Sequence, residues 1–212
     1  MYGISTVNRR ITYDKMLQQF YGDLRPEAGC DEAGRGCLSG PVVASAVILH
    51  SEKPISGLND SKKLNHRQRI ELKEEILSNA LAWGVAFVDN HTIDEINILN
   101  ASIMAMHQAL DTLAITPKII IVDGNKFKPY KDIPHVCIVK GDGKFMSIAA
   151  ASILAKTFRD EYMENIHNEF PMYLWNKNKG YPTPEHKLAV HANGLTHYHR
   201  RTFSSSIQLK LF

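Results

Sequence analysis

The chain has little cysteine. Cys30, Cys37 and Cys137 are odd in number and none stands in a C-x-x-C pair. A disulfide framework and a structural zinc site are therefore not expected, and a reducing cytosol is the expected compartment. No apolar run approaches the ~20 residues needed to cross a bilayer, so no membrane partner is expected. The N-terminal residues carry their charges after the apolar ones, with no long apolar stretch behind them, which does not fit a secretion signal. No serine sits in a G-x-S-x-G turn, so a Ser/His/Asp triad has no local support. His197-Tyr198-His199 lacks a third ligand at helical spacing, which argues against zinc. Internal repeats and low-complexity tracts are absent. An excess of either charge is absent too: 25 basic and 22 acidic residues leave a net +3. That balance permits a nucleic-acid partner without requiring one.

What is present is ordinary for a globular chain: 212 residues, 44% hydrophobic and 22% charged. That is one domain, or one domain with an appendage, and enough apolar surface for a core without staples. Residues 11–22 read as a short amphipathic helix or an arm. Pro41 opens a β-branched run over 42–49 with the character of a buried strand. A helical pattern starts at His66, with Ile70, Leu72, Ile76 and Leu77 on one broad face. Residues 81–88 alternate as a strand. Thr92-Ile93-Asp94-Glu95 fits a capping box that opens the longest helix, stopped by Pro117. Ile119-Ile120-Ile121-Val122 is a short apolar strand ending at Asp123-Gly124, and 136–139 is another, ending at Gly141-Asp142-Gly143. A second long helix spans about 144–168. Its centre is crowded with Ala149, Ala150, Ala151, Ser152 and Ala155, which permits close backbone approach. Pro184, at the first position of a shorter helix, follows the capping residue Thr183. The layout is α/β, a mixed sheet covered by helices, with a core over 1–168 including an N-terminal arm. Residues 169–212 form a smaller C-terminal helical appendage and tail.

Three acidic points fall where strands meet turns: Asp31-Glu32, Asp123 and Asp142. Ligands gather outside the carboxyl ends of strands in open α/β sheets, and carboxylates converge there. Crowded carboxylates need a cation, and hard oxygen donors suit Mg²⁺ or Mn²⁺. Two such ions are the usual device for phosphodiester hydrolysis. Any one of these residues alone reads as a turn former, and spacing by itself leaves both readings open. Gly34-Arg35-Gly36, directly after the acidic pair, offers amides to a phosphate or a sugar hydroxyl, or else is a tight strand connection. Gly180-Tyr181-Pro182 sets an aromatic ring on a rigid loop, for stacking on a base or sugar or for packing at a helix entry. Ser61-Lys62-Lys63 meets a phosphate or is simply solvated.

Several stretches together carry a resemblance: Asp31-Glu32-Ala33-Gly34-Arg35-Gly36, Asn59-Asp60-Ser61-Lys62-Lys63-Leu64, Val122-Asp123-Gly124-Asn125 and Lys140-Gly141-Asp142. Ala150-Ala151-Ser152-Ile153-Leu154-Ala155-Lys156, Arg159-Asp160, Gly180-Tyr181-Pro182-Thr183 with His186, and His199-Arg200-Arg201-Thr202-Phe203 follow in order. In that order the chain resembles the bacterial ribonuclease HII family along nearly all of its length. The resemblance implies the ribonuclease H-like fold, a five-stranded mixed sheet flanked by helices with a small C-terminal helical region. It implies cleavage of the RNA strand of RNA–DNA hybrids, and cleavage 5′ of single ribonucleotides in duplex DNA, leaving 3′-hydroxyl and 5′-phosphate ends. The implied role is ribonucleotide and primer removal during replication and repair, by a monomer.

Carried onto this sequence, Asp31, Glu32, Asp123 and Asp142 become the catalytic ligands of two divalent ions, Mg²⁺ or Mn²⁺. Gly34, Arg35 and Gly36 would read the 2′-hydroxyl, Tyr181 would pack on the sugar, and Lys62 would hold a phosphate. Asp160 is a rival fourth ligand but is expected to partner a basic residue instead. Adjacent strand residues point to opposite faces. The strand is therefore expected to end or bulge at Asp31-Glu32, or Glu32 to add its backbone carbonyl. Gln208-Leu209-Lys210-Leu211-Phe212 resembles the peptide that replication proteins insert into the bacterial sliding clamp, and the alternative is a tail packed on its own core. Two competing readings are a related nuclease such as a junction resolvase, which has no 2′-hydroxyl to read, and a binding protein without catalysis.

Overall fold

The computed structural model describes residues 17–58, 61 and 64–206, with no side-chain description for 204–206. Lys62, Asn59, Asp60, Lys63, Gln208, Phe212 and the first part of the expected arm lie outside the described residues.

Five strands form one sheet in the order β3-β2-β1-β4-β5. They are β1 (Glu27–Ala33), β2 (Val42–Ile48), β3 (Ala82–Val88), β4 (Ile119–Asp123) and β5 (His135–Ile138). The first three pair antiparallel, and β1, β4 and β5 run parallel, so the sheet is mixed as expected. Every residue of β2 is buried, which its continuous apolar run requires. β3 sits at an edge and alternates. Ala82, Ala86 and Val88 turn into the core, while Trp83 and Phe87 lie against Phe158 and Tyr162.

The two sheet faces carry different helices. Ala28, Cys30, Ala44, Ala46, Ile120 and Val122 pack on Ile93, Ala101, Ala105, Met106 and Ala109 of α2 (Asn90–Asp111). On the other face Val47, Ile121 and their neighbours meet α3 (Met146–His167), with α1 (His66–Asn79) packed outside it through Leu72 and Ile76. The small-residue stripe of α3 lies along β1. A Cβ built on Gly29 would fall 2.2 Å from the carbonyl carbon of Ser147. Only glycine lets the two backbones approach so closely. Beyond α3 come α4 (Trp175–Asn178) and α5 (Pro184–Asn193). There Tyr173, Trp175 and Val190 pack on Met163 and Ile166.

One local expectation is corrected and two are made narrower. Thr92 does not cap α2; Asp89 does, accepting the Thr92 amide at 2.8 Å. The reason is that β3 pairs as far as Val88, so the chain must turn at Asp89. The helix is also interrupted at Asn97, where φ is 65°. The second long helix begins at Met146, because a short 3₁₀ turn (Gly141–Gly143) precedes it. The described part of 11–22 is an arm without helix. Gln18 pairs with the segment before α3, donating to Lys144 O and accepting from the Met146 amide.

Candidate active site

β1 and β4 run parallel with Cys30 opposite Val122. The next rung sets Asp31 beside Asp123, the last residue of β4. Asp31 is 5% exposed on the α3 face. Its Oδ1 accepts the Glu32 amide at 2.7 Å, and the Ser152 side chain from α3 also bonds it. Asp123 Oδ1 accepts the Gly141 amide at 2.7 Å. Its second oxygen takes no hydrogen bond among the described residues.

The strand neither ends nor bulges at the acidic pair. β1 stays in register with β2 through Ala33, so the expected end or bulge is corrected, and a contribution from the Glu32 backbone carbonyl stays an expectation. What frees Glu32 is the neighbour on the other side: β4 stops at Asp123, and β1 overhangs it. Asp31, Glu32 and Asp123 consequently line one cavity of about 310 Å³. Gly34, Arg35, Gly36 and Tyr181 line the same cavity, as do Ser61, Arg69, Ser152 and Lys156.

The electrostatics follow from this crowding. Burial pushes the Asp31 carboxyl well above the usual carboxylate range, and the charges of Glu32 and Asp123 push it further. Burial also raises Glu32, while the Arg35 guanidinium, donating to Oε1 at 3.0 Å, pulls it back. On the far wall burial lowers Lys156, and an ion pair with Asp160 holds it up. Asp160 thus partners a basic residue. Arg69 donates to Ser61 O and Leu64 O, leaving Nε buried without a hydrogen-bond partner among the described residues.

Asp142 does not line the cavity. It is 4% exposed in the 3₁₀ turn beside Gly141, and its Oδ1 accepts the Gly143 amide at 3.0 Å. Among the described residues no three Asp, Glu, His or Cys side chains form a ready metal-ligand set. The chemistry of the three cavity carboxylates still fits a hard divalent cation. They are all oxygen donors, and among the described residues Arg35 is the cation bonded to one of them, Glu32.

The loop after β1 is held from behind. Gly34 has φ +94°, a left-handed conformation that favours glycine. Arg200, fully buried, donates to Gly40 O through Nε and Nη2 and to Arg35 O through Nη1. Tyr181 stands 39% exposed at the rim, and the Leu38 amide donates to Gly180 O beside it at 2.7 Å. The parts that residue-by-residue reading left without a role are Ser152, Lys156, Arg159, Arg69 and Arg200. A signal existed for three of them. Ser152, Lys156 and Arg159 recur at i, i+4 and i+7, on one face of a helix whose first half is otherwise small and apolar.

The overall fold is shared with known proteins. The family profile described as Ribonuclease HII matches residues 28–206. The ribonuclease HII of Christiangramia forsetii is 62% identical over 187 residues, 88% of this chain and 94% of that protein. That of Bacteroides thetaiotaomicron is 58% identical over 178 residues, 84% of this chain and 89% of that protein. Among solved structures, ribonuclease H2 from Pyrococcus horikoshii superposes with a TM-score of 0.72 at 28% identity, covering 85% of this chain and 94% of that one. A chain of the PCNA:RNase HII complex from Archaeoglobus fulgidus gives a TM-score of 0.74 at 27% identity, covering 87% and 97%. With the profile spanning most of the chain and identity this high across nearly whole relatives, the chain belongs to the ribonuclease HII family.

Proposed function

We propose that this protein is an endoribonuclease that hydrolyses the RNA strand of RNA–DNA hybrids. On this reading it also cuts 5′ of a single ribonucleotide in duplex DNA, leaving 3′-hydroxyl and 5′-phosphate ends. The observation that carries the reading is the shared cavity, where three carboxylates face a glycine-bounded loop and an exposed tyrosine.

Asp31, Glu32 and Asp123 would hold Mg²⁺ or Mn²⁺, with Asp142 supplying the fourth carboxylate from the next loop. When bound, a pair of such ions supplies an activated water and stabilises the leaving oxygen. The chain's own residues do the rest. Ser152 and the Glu32 amide orient Asp31, and the Gly141 amide orients Asp123. Arg35, held to Glu32, favours the ionised form of that carboxylate against the burial that raises it. The amides of Gly34 and Gly36 are free of side chains, so a sugar can approach them and its 2′-hydroxyl can accept or donate there. Tyr181 packs on that sugar from the opposite wall. Arg69 and Lys156 offset the negative charge along the path of the phosphates, and Lys62 is assigned a phosphate near the cut.

The remaining assignments are of the same standing. The catalytic core is 1–168, and 169–212 is the appendage that carries Tyr181. The protein works as a monomer in the cytoplasm, in ribonucleotide excision and primer removal. Its three free thiols suit that compartment. Gln208-Leu209-Lys210-Leu211-Phe212 is the segment proposed to engage a sliding clamp. The archaeal complex with PCNA supports a clamp partner for this family.

The test is incubation with Mg²⁺ and a labelled DNA duplex carrying one ribonucleotide, beside an all-DNA control. A cut only 5′ of the ribonucleotide is expected. Cleavage of long hybrids without that cut would keep the metal site and remove the junction-reading role of Gly34, Arg35, Gly36 and Tyr181.

A further inference from the structure

The guanidinium of Arg159 is buried at 1% exposure, seven residues along α3 from Ser152. It forms no ion pair with an acid among the described residues. Its neighbour Asp160 is paired with Lys156 instead. All three nitrogens of Arg159 donate to backbone carbonyls: Nε to Pro41 at 3.0 Å, Nη1 to Lys179 at 2.8 Å and Nη2 to Ser39 at 3.2 Å. Those carbonyls belong to two separate segments. One is the connection from β1 to β2 that contains Gly34, Arg35 and Gly36. The other leads into Tyr181. Burying a cation without a carboxylate is costly, so an apolar residue would serve a merely packing role at less expense.

The contacts go further than the hydrogen bonds. A Cβ on Gly34 would lie 2.0 Å from Arg159 Nε, so the loop backbone rests directly on the guanidinium. The same group stands 5.9 Å from the centre of the Tyr181 ring, within cation–π range. The helix that carries Arg159 also carries Ser152, which bonds the Asp31 carboxylate. Seven helical residues rise roughly 10 Å. One rigid rod therefore links the carboxylate at one end to both walls of the sugar pocket at the other.

We propose that Arg159 is a positioning residue that joins the Gly34-Arg35-Gly36 loop to Tyr181 and sets both at a fixed distance from Asp31, so that α3 determines which phosphodiester is cut relative to the ribonucleotide. Arg159 touches no substrate itself. The proposal rests on the ribose-reading role given to that loop and Tyr181. Substitution by lysine keeps the charge but loses the planar fork that reaches three carbonyls at once.

The experiment measures binding by anisotropy in EDTA, for a duplex with one ribonucleotide and for the same duplex in all-DNA form. The ratio of affinities reports ribose reading without catalysis. Arg159→Lys is expected to lower that ratio about 10-fold, with all-DNA affinity within about 2-fold, the loss of one or two well-placed polar contacts. With Mg²⁺ restored, the variant is expected to cut at more than one position around the ribonucleotide. Combined with Tyr181→Ala, the loss should stay within about 2-fold of the larger single effect, because both act through one unit. Val190→Ala, buried away from the cavity, is the control for general destabilisation and should leave the ratio unchanged at equal loss of thermal midpoint. If Arg159→Lys does not fold, Arg159→Gln is read in the same way.

A wild-type ratio near one removes the ribose-reading role and this proposal with it. A high wild-type ratio that Arg159→Lys leaves intact overturns this proposal alone. So does a Val190→Ala variant that reproduces the loss, or multiplying effects in the double variant.

Discussion

Gly29 and Ser147 stand so close that a Cβ on the glycine would overlap the serine backbone, 2.2 Å from its carbonyl carbon. This contact seats α3 on β1 and thereby brings Ser152 to Asp31. Gly29→Ala should cost about 3 kcal/mol, because neither backbone can yield without unseating a ladder or a helix. Urea denaturation checks this. Gly22→Ala is the comparison, since nothing lies within 4 Å of its added methyl. It should shift stability by no more than about 0.5 kcal/mol. Equal effects of the two would mean that α3 is not held by this contact.

Asp123→Asn separates charge from architecture. The amide oxygen can still accept from Gly141, so the turn before α3 is kept. What is lost is one of the negative charges that a divalent ion would need. Cleavage should fall by at least about 1,000-fold while hybrid binding changes little, the loss seen when a charge-stabilising group is removed from a reacting centre. EDTA should abolish wild-type cleavage in the same way. Full activity in either case would remove Asp123 from the mechanism.

Ser61 and Ser152 share a hydrogen bond of 2.9 Å in the floor of the cavity. Ser152→Ala removes a donor to Asp31 and leaves Ser61 without this partner. The carboxylate loses a bond that favours its ionised form. The expected result is a weaker apparent affinity for Mg²⁺, about 5-fold, with unchanged binding of hybrid in EDTA. An unchanged Mg²⁺ dependence would remove Ser152 as an orienting group.

The contrast between local and distant determinants explains what was legible in the chain. The apolar strand ending at Asp123 and the Thr183-Pro184 helix start are local signals, and both elements form where the pattern places them. The α/β layout followed from the same alternation. Asp89 and Thr92 are both capping residues by type, and the choice between them was made by pairing of Val88 with Val42, which local pattern does not contain. The reach of Glu32 into the cavity depends on where β4 stops, about ninety positions later in the chain. Arg159 and Arg200 find their carbonyls at separations of 118 and 160 residues. Their role is written in the fold, and no local pattern around either residue announces it.

His186 and His199 give a pH dependence whose sign is fixed by their hydrogen bonds. The Trp175 indole, a donor only, points at His186 Nε2 at 3.0 Å. That nitrogen must therefore accept, and the proton sits on Nδ1, facing the Tyr181 carbonyl at 2.9 Å. His199 Nδ1 accepts the Thr196 amide, so its own proton sits on Nε2, 3.3 Å from His186 Nε2. Both rings are neutral, and a second proton on His186 would face two donors. Burial lowers both groups, His199 to about 4 with His186 beside it as the next cause. A folded-state value below the unfolded 6.5 means stability that is fully present above pH 6.5 and lost as pH falls towards 4. The loss from His199 is on the order of 3 kcal/mol at most. Denaturant midpoints should fall across that window in the wild type. His199→Asn, which can still accept from Thr196 but does not titrate, should start lower and fall less. An identical slope in both proteins would show that the pair stays neutral for reasons other than these bonds.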